Sequence, residues 1–457
     1  MTLRLRDIRN RRVVVWGHGS EGRAAVRVLI RHATPSTLAV VVDDPNAVST
    51  GGDVAVLAGH DADVAIKSAE VIVKSPGVSP YHGRFAARPG AAEVTGGSAL
   101  WFAETDGART IGVTGSKGKS TTSSLIAHVL RVLGHDVTLA GNVGLAPLDV
   151  LDADLSSPPS PGRRYVFELS SFQTSELRNS PEIGVLTALF PEHLDWHESI
   201  DRYYADKCNL FAHRTDMQVA MNADNTDVAA RMAAVSGTAP YGIDGSIHVD
   251  GLRVRDGDGS TVVDLDGAAL RGRHNAINVA GALTALRLGG VDLSRDRDAI
   301  ADAIRSFRPL AHRLEPVGTV GGRLVIDDGL STAPQAAIAA LAAFADRAVG
   351  IIVGGHDRGV DYEPLAEALA HRHAPAWVLG VPESGARIIP LVAERARAAG
   401  NHLYTEQFDD FDDAVARALA LVPDGGVILL SPGAPSFGRF TDYVDRSRHF
   451  RELVGLP

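Results

Sequence analysis

Three stretches of the chain share one pattern of hydrophobic and polar positions. Each begins with a short apolar run rich in β-branched residues, passes through a glycine-rich turn and enters Ala- and Leu-rich sequence with helical spacing. The apolar runs cover residues 13–16, 110–113 and 349–353. This order is typical of parallel α/β sheets, which bind ligands at the carboxyl ends of their strands. Because the pattern restarts three times, we predict three sheets in an α/β protein.

The sequence between the restarts places the domain boundaries. Helix-like sequence at 99–104 precedes the second restart, and a proline follows a helical run within 307–313. We therefore predict a Rossmann-like N-terminal domain (1–106), a central phosphate-loop domain with a parallel sheet (107–310) and a Rossmann-like C-terminal domain (311–457). Apolar residues alternating with Asp-Gly pairs at 245–270 predict β-hairpins that add a small β-sheet to the central domain.

Composition excludes several classes of function. The 457 residues carry 45 Lys and Arg against 55 Asp and Glu, a net charge of −10, which argues against general binding to nucleic acid or anionic membranes. Cys208 is the single cysteine, so no intrachain disulfide can form, as is typical of a reducing compartment. No apolar stretch approaches the roughly 20 residues that cross a bilayer, and the start lacks a signal peptide. We expect a cytoplasmic, non-membrane protein.

The strongest motif is Thr114-Gly-Ser-Lys-Gly-Lys-Ser-Thr121, between a strand and an amphipathic helix expected at 123–133. Glycines let backbone N–H groups cradle phosphates, a lysine neutralises the terminal phosphates, and a hydroxyl can bind Mg²⁺. Val113 stands where the strict eight-residue phosphate loop has glycine, so this is a variant loop; a glycine-rich turn without nucleotide is the alternative. The motif predicts these ATP-binding residues: Gly115, Ser116, Lys117, Gly118, Lys119, Ser120 and Thr121.

A second glycine motif, Gly17-x-Gly19-x-x-Gly22, follows the first strand and is followed by Asp43 about 20 residues later. The motif predicts a ligand that carries a pyrophosphate at a helix N-terminus. NAD is one candidate ligand, and the alternative is a purely structural turn that binds no ligand.

Two apolar strands end in polar clusters suited to a metal-assisted phosphate site. Glu168 follows the first strand, and His193 lies among acids and a further imidazole after the second. Mg²⁺ prefers a few carboxylates, waters and phosphate oxygens. The His-x-x-x-His spacing at His193 and His197 suggests zinc, but the phosphate loop already favours an oxygen-rich magnesium site.

Together these segments resemble the Mur ligase family, and within it the glutamate-adding branch. The resemblance covers all three domains and rests on motifs in the family's order: 114–121, 168–173, 190–197, Lys207 after Tyr203-Tyr204-Ala205-Asp206, 272–275 with Asn278, and His312-Arg313. It implies an ATP-dependent amide ligase of peptidoglycan precursor synthesis. ATP would convert the carboxylate of UDP-N-acetylmuramoyl-L-alanine to an acyl phosphate, which the glutamate amine then attacks.

The resemblance also implies roles for single residues. Lys119, His193 and Lys207 are the expected catalytic residues, with Lys207 carried as a carbamate, and Ser120, Glu168, His193 and Lys207 are expected at Mg²⁺. Expected to bind the UDP-linked substrate are Gly19, Ser20, Glu21, Gly22, Asp43, Ser75, Pro76, Gly77, Asn142, Ser170 and Gln173. Asn275, Asn278, Arg313 and Asp328 complete the expected ATP site, and Thr332, Arg358, Ser436 and Tyr443 are expected to bind glutamate.

One departure from the family pattern bears on the amino acid. Ligases that add D-glutamate typically have a lysine two residues after the aspartate at position 328, whereas this chain has Leu330. The lost cation, with other motifs, looks more like the branch that adds L-glutamate, whose product needs a later epimerase. L-glutamate is therefore our hypothesis, and D-glutamate is the alternative.

Other classes remain as alternatives at this stage. A folylpolyglutamate-synthase-like ligase shares the central ATP module but has no need of the N-terminal glycine motif. A redox or NAD-sensing protein could be built on that motif, and a non-catalytic binding module is poorly motivated. We expect a monomer.

Overall fold

The computed structural model describes residues 2–43, 54–88, 91–308 and 311–456. These residues form an α/β fold with four sheets, and the three predicted restarts begin strands of three different sheets, as expected. The chain forms two compact units: Met1–Asp250, Val254–Val263 and Ile277–Ile304 in the first, and Gly251–Arg253, Asp264–Ala276 and Arg305–Pro457 in the second. The predicted boundary near 310 lies outside the described residues.

The first sheet contains five parallel strands in the order β3-β2-β1-β4-β5. These strands are β1 (Arg12–Trp16), β2 (Thr37–Val41), β3 (Ala55–Leu57), β4 (Val71–Lys74) and β5 (Glu93–Gly96). Its helices are α1 (Leu5–Ile8), α2 (Ser20–Val28, continued by a wider turn at Leu29–Ala33), α3 (Gly59–Ser68), α4 (Gly83–Ala86) and α5 (Gly97–Thr105).

The strand order reverses beside β1, and the glycine motif lies at that point. The backbone N–H of Gly17 donates to the Val41 carbonyl at 2.8 Å, and that of Ser75 donates to the Trp16 carbonyl at 2.8 Å. The loops after β1 and β4 therefore meet at the carboxyl edge of the sheet. In open α/β sheets this reversal point is where ligands bind.

The second sheet contains six parallel strands in the order β11-β10-β9-β6-β8-β7. These strands are β6 (Thr110–Thr114), β7 (Val137–Gly141), β8 (Arg164–Glu168), β9 (Ile183–Leu186), β10 (Gln218–Asn222) and β11 (Thr238–Tyr241). The helices of this part of the chain are α6 (Lys119–Val132), α7 (Pro147–Ser156), α8 (Ser171–Thr174), α9 (Leu194–His197), α10 (Ile200–Cys208, followed by a tighter turn at Asn209–Phe211), α11 (Thr226–Met232), α12 (Arg273–Leu288) and α13 (Arg297–Ser306).

The segment expected to form hairpins is a three-stranded sheet of β12 (His248–Asp250), β13 (Arg253–Arg255) and β14 (Thr261–Asp264).

The last sheet has the order β15-β16-β20-β17-β18-β19, with β15 antiparallel to β16 and the other pairs parallel. Its strands are β15 (Glu315–Val320), β16 (Arg323–Asp327), β17 (Val349–Gly354), β18 (Ala376–Val381), β19 (Tyr404–Gln407) and β20 (Val427–Leu430). Its helices are α14 (Pro334–Ala342), α15 (Glu363–Ala370), α16 (Gly385–Ala398), α17 (Phe411–Leu421) and α18 (Tyr443–Leu453).

One apolar core joins the first two sheets within the first unit. Trp101 of α5 and Phe167 of β8 are fully buried, and their ring centroids lie 4.4 Å apart. Large aromatic side chains contribute most to such a core because they bury the most apolar area. The loops of the first sheet are therefore held on the central sheet by packing. In the described part of the chain, every helix is too short or too polar to cross a membrane.

Candidate active site

The phosphate loop connects β6 to α6. The helix was expected to begin at residue 123, but it begins at Lys119, so Lys119 and Ser120 lie in its first turn. Gly118 precedes it with a φ of +88°, a left-handed conformation that glycine adopts without strain. The first N–H groups of a helix have no partner within it, so a Ser- and Thr-rich start is well tolerated and suits an anion.

The two glycines of this loop are required by close contacts. A Cβ atom on Gly115 would lie 2.1 Å from Thr187 Oγ1, and one on Gly118 would lie 2.3 Å from Asn278 Oδ1. Thr187 also donates from its hydroxyl to the Lys117 carbonyl at 2.6 Å. The loop is thus held in shape by the residue after β9 and by α12, and Asn278, one of the residues expected at ATP, lies against it.

Two lysines of the loop have different surroundings. Lys119 Nζ donates to the carbonyl oxygens of Gly115 and Ser116 at 2.9 and 3.0 Å, which holds the ammonium over its own loop. Lys117 instead forms a 2.6 Å ion pair with Glu192. Burial would raise the pKa of Glu192, but this lysine outweighs burial and lowers it. Glu192 therefore stays ionised and neutralises the charge of Lys117 in the loop.

Glu168, at the end of β8, fits a divalent cation. It is 1% exposed, its Oε1 accepts a 2.9 Å hydrogen bond from Asn142 Nδ2, and no described residue donates a hydrogen bond to Oε2. An unpaired carboxylate oxygen buried in protein is costly unless a cation or water binds it. Asn142 and Glu168 are thus brought together, and the donor chemistry suits Mg²⁺.

His193 precedes α9 in a left-handed conformation with a φ of +55°. Its side chain is solvent-accessible in this crowded loop, yet desolvation lowers its pKa to about 4, with Glu192 opposing and Lys207 and Lys119 adding to the effect. The imidazole is therefore neutral at physiological pH, which is the form that can bind a metal. His197 is different: both of its ring nitrogens contact Asp206 and Ser171, so it is not placed as a zinc ligand beside His193.

Lys207 of α10 is buried against the phosphate loop. It is 2% exposed, and its Nζ donates to the Gly115 carbonyl at 2.8 Å. Burial, followed by repulsion from Lys119, lowers its pKa well below the ordinary value, although Glu192 opposes this shift. A neutral amine is the nucleophilic form of lysine.

The loops of the first sheet carry the second glycine motif. Gly17 has a φ of +108°, and a Cβ atom on Gly22 would lie 2.1 Å from the Gly17 carbonyl oxygen. Asp43 receives a 3.3 Å hydrogen bond from Trp16 Nε1 and pairs with Arg84 at 3.4 Å. The remaining residues of the group, Gly19, Ser20, Glu21, Ser75, Pro76 and Gly77, lie in the α2 start and the loop after β4. The residues expected to bind the UDP part of the substrate therefore lie at one edge of the first sheet.

Ser170 and Gln173 form a capping box at the start of α8. The Ser170 backbone and hydroxyl donate to Gln173 Oε1 at 3.0 and 3.1 Å, and Gln173 Nε2 donates to Glu21 Oε1 at 2.7 Å. Three residues predicted for the UDP-linked substrate are therefore in direct contact although they come from different sheets.

The ATP-site residues predicted later in the chain occupy two places. Asn275 and Asn278 lie one turn apart on α12, and Asn275 Nδ2 donates to the Arg271 carbonyl at 2.8 Å. Asp328 lies after β16, buried, with its carboxylate accepting from Ser431 Oγ at 2.7 Å and from the Leu314 backbone at 3.0 Å. Burial raises the pKa of Asp328 to about 7, although both hydrogen bonds and Arg313 lower it.

Three of the four predicted glutamate residues lie on loops that follow strands of the last sheet, and the fourth begins a helix. Arg358 Nη2 donates to the Thr332 carbonyl at 2.8 Å, which joins two of them. Ser436 is buried after β20, and Tyr443 begins α18 with its ring 5.7 Å from that of His312.

A charged cluster surrounds His312. Among the described residues, His312, Glu315 and Asp327 form the one group with spacing suited to a metal. Arg451 already lies there, with Nη2 2.6 Å from Glu315 and 2.9 Å from Asp327. A guanidinium therefore supplies the positive charge, and the cluster is an ion-pair network that orients the segment before Arg313.

Sequence reasoning missed several residues that shape the site. Thr187 and Tyr203 brace the phosphate loop, the latter through a 2.8 Å contact of its hydroxyl with Ser116 Oγ. Asp206 binds His197 and Tyr81. Tyr203 and Asp206 lie in the segment before Lys207, and Thr187 follows an apolar strand. Their residue types and spacing gave no sign of the contacts that they make.

Comparisons with known proteins point to one family. Residues 113–286 match the Mur ligase middle domain, and residues 312–433 match the Mur ligase glutamate ligase domain. A UDP-N-acetylmuramoyl-L-alanine--L-glutamate ligase of a Micromonospora species is 43% identical over 99% of this chain and 98% of its own. Proteins of the same name from Salinispora tropica and Xanthomonas axonopodis are 42% and 39% identical, over 99% of this chain and 99% and 97% of theirs.

Solved structures share the fold. MurF ligase from Thermotoga maritima in complex with ADP superposes with a TM-score of 0.60 at 16% identity, covering 98% of this chain and 95% of that one. MurF from Acinetobacter baumannii gives 0.61 at 15% identity, covering 97% and 90%.

The fold, the phosphate loop and these matches define the class of protein, a three-domain ATP-dependent amide ligase. The chain belongs to the Mur ligase family and acts in peptidoglycan synthesis. This assignment excludes the NAD-sensing and binding-module alternatives.

Proposed function

We propose that the enzyme joins L-glutamate to UDP-N-acetylmuramoyl-L-alanine at the expense of ATP. A carboxylate oxygen of the alanyl group attacks the γ-phosphorus of ATP, and ADP leaves. The glutamate amine then attacks the carbonyl carbon of the acyl phosphate, inorganic phosphate leaves, and the amine loses a proton. The relatives' shared name and the residue at position 330 support this proposal.

The first step needs positioning and charge neutralisation more than covalent chemistry. The phosphate loop supplies backbone N–H groups at the start of α6, and Lys119 supplies a cation held over that loop. Thr187 and Asn278 keep the two glycines in place, so the loop is organised before ATP binds.

Mg²⁺ fits this site on the strength of the unpaired Glu168 oxygen. Ser120, Glu168, His193 and a carbamylated Lys207 would hold it, and the bound ion would supply positive charge to phosphate oxygens. Lys207 suits carbamylation because its neutral Nζ can attack CO₂, forming an N–C bond and releasing a proton. The product is an anion where an ammonium would repel the metal.

The UDP-linked substrate is assigned to the edge of the first sheet and the adjoining turn after β8. The diphosphate would bind the glycine loop at the start of α2, with the 75–77 loop beside it. Asn142, Ser170 and Gln173 would bind the muramoyl-alanine end, next to Glu168.

The preference for L-glutamate rests on one substitution. Leu330 replaces the lysine that D-glutamate-adding relatives carry, and its backbone N–H donates to the His312 carbonyl at 3.0 Å. Without that cation, a glutamate carboxylate depends on Arg358, which lies against Thr332. The loss of this positive charge changes how L- and D-glutamate fit the expected glutamate site.

Turnover of the two enantiomers with UDP-N-acetylmuramoyl-L-alanine tests the proposal. We expect ADP release and dipeptide product with L-glutamate and much slower release with D-glutamate. Preference for D-glutamate would overturn the stereochemical assignment, and absence of both activities would overturn the substrate assignment.

We also propose that the enzyme works as a cytoplasmic monomer. If L-glutamate is added, a later epimerase must invert the glutamyl centre to give a D-glutamyl peptide. Sedimentation equilibrium at micromolar concentration tests the oligomeric state, since a dimer would have twice the molar mass of the monomer.

A further inference from the structure

The turn after β8 is held from outside the central sheet. It runs from the metal-site candidate Glu168 through Leu169 to Ser170 and Ser171. Ser170 contacts Gln173, and Ser171 Oγ lies 2.9 Å from His197 Nε2. Gln173 is in turn bound by Glu21 of α2. His197 is bound by Asp206 of α10, which accepts a hydrogen bond from Tyr81 of the first sheet's loops.

The first connection leads from Ser170 to Glu21. The Ser170 backbone N–H can only donate, so the oxygen of the Gln173 amide must face it, at 3.0 Å. The amide nitrogen then points the other way, and it donates to Glu21 Oε1 at 2.7 Å. Glu21 thereby stabilises this orientation of the Gln173 amide.

The second connection leads from Ser171 to Tyr81. His197, fully buried, contacts Ser171 with one ring nitrogen and Asp206 Oδ2 with the other at 2.7 Å. The Tyr81 hydroxyl donates to both Asp206 oxygens, at 2.7 and 2.8 Å. Tyr81 follows the 75–77 loop, so both connections begin beside the glycine-motif edge.

A carboxylate at position 21 is poorly suited to touch the substrate itself. It lies in the first turn of α2, where the glycine motif presents N–H groups to a diphosphate. An acidic side chain supplies no cation for that diphosphate, and its contact with Gln173 directs it elsewhere.

The burial of Glu21 gives this placement an energetic cost. A Cβ atom on Gly97 would lie 3.3 Å from Glu21 Oε2, and the charged groups facing it are Lys74 and Glu176, which pair at 2.9 Å. Burial raises the pKa of Glu21 to about 7, although Gln173 and Lys74 lower it and Glu176 adds to the rise. Such cost is commonly retained at functional sites.

We propose that Glu21 is a positioning residue for the acceptor site: through Gln173 it orients Ser170, while Tyr81 orients Ser171 through Asp206 and His197. The inference rests on the proposed function, because it assigns Ser170 and Gln173 to the muramoyl-alanine end. In this proposal Glu21 binds Gln173 and does not contact the UDP part of the substrate.

A double-mutant cycle tests the first connection. We expect Glu21→Ala and Gln173→Ala each to weaken acceptor binding about tenfold, measured calorimetrically without ATP. The double variant should bind no more weakly than Gln173→Ala, and the KM for ATP should stay unchanged in all three. Independent effects that multiply to about a hundredfold would overturn the proposal, as would unchanged binding in Glu21→Ala.

Amide hydrogen exchange gives a readout that needs no substrate. The Ser170 N–H should exchange faster in Glu21→Ala and in Gln173→Ala than in wild type. Glu93→Ala is the matched control, because Glu93 is an exposed acid of the same sheet paired with Arg11. Unchanged exchange in Glu21→Ala would overturn the proposal even if the enzyme used another acceptor.

Tyr81→Phe tests the second connection with a minimal change. It should speed exchange around Ser171 and raise the KM for the acceptor while leaving the KM for ATP unchanged. If Glu21→Ala fails to fold, Glu21→Leu, which also lacks an acceptor for Gln173 Nε2, replaces it in the cycle. Failure of the proposed function appears instead as wild-type enzyme that neither binds the acceptor nor ligates glutamate.

Discussion

Lys207 Nζ donates a 2.8 Å hydrogen bond to the carbonyl oxygen of Gly115, so a buried lysine of α10 lies directly against the phosphate loop. The contact joins the two segments that the reaction needs most, the loop for ATP and the lysine expected as a carbamate. Burial lowers the pKa of Lys207, and the charge of the nearby Lys119 lowers it further. The site therefore favours a lysine that is neutral or modified.

Removal of CO₂ tests the state of Lys207. In CO₂-depleted buffer we expect wild-type ligation to fall and to return when bicarbonate is added, because the carbamate is reversible. Lys207→Ala should lose about 10–100-fold of activity and should not respond to bicarbonate. Wild-type activity that is indifferent to CO₂ would show that the carbamate is not required.

Lys119 is expected to act on ATP and not on the acceptor. Lys119→Ala should lower kcat by about 10²–10³-fold, since a cation aimed at the phosphates is removed. Acceptor binding by calorimetry should stay within a factor of two or so of wild type. Lys67→Ala on α3 is the control and should behave as wild type; ATP turnover by Lys119→Ala at the wild-type rate would refute the phosphate-loop assignment.

Two residues of the second glycine motif, Gly19 and Gly22, differ in the atoms that an added methyl group would contact. Gly22→Ala would place Cβ 2.1 Å from the Gly17 carbonyl oxygen, so we expect a loss of about 1–3 kcal/mol in the free energy of unfolding. Gly19→Ala is the matched control, because nothing lies within 4 Å of its Cβ position. Denaturant titration of both variants measures the difference; equal stability would contradict the close approach.

Glu21 should make stability depend on pH. Its pKa is about 7 in the folded protein against an ordinary value of 4.5, so between these values the folded chain keeps a proton that the unfolded chain releases. Its contribution to the free energy of unfolding therefore falls as pH rises from about 4.5 to 7 and is constant above. Relative to wild type, Glu21→Gln should gain stability across that range in chemical denaturation. A difference that does not vary with pH would contradict this.

Restoring a cation at position 330 tests the basis of stereochemical preference. Leu330→Lys should raise the ratio of D- to L-glutamate turnover about tenfold, because a charged partner for a carboxylate returns. Leu330→Met controls for the change of shape without charge. If both variants keep the wild-type ratio, residue 330 does not determine the enantiomer.

Local patterns were sufficient where a segment's structure depends on its own residues. The β-branched runs formed strands of three separate sheets, and 245–270 formed the small sheet. The start of α6 was placed four residues too late, because Ser and Thr weaken helical propensity but suit a first turn. The phosphate loop and the glycine motif were recognisable because their spacing itself creates the binding surface.

By itself, the sequence determined the α/β class, the order of the motifs and the residue types that carry the chemistry. Only the tertiary structure decided that Glu21 contacts Gln173 and that Asp206 connects Tyr81 with His197. It also decided that no described residue donates a hydrogen bond to the buried Oε2 atom of Glu168. These contacts join residues up to 152 positions apart. Packing of the first sheet on the second creates them, and residue spacing along the chain carries no information about such packing.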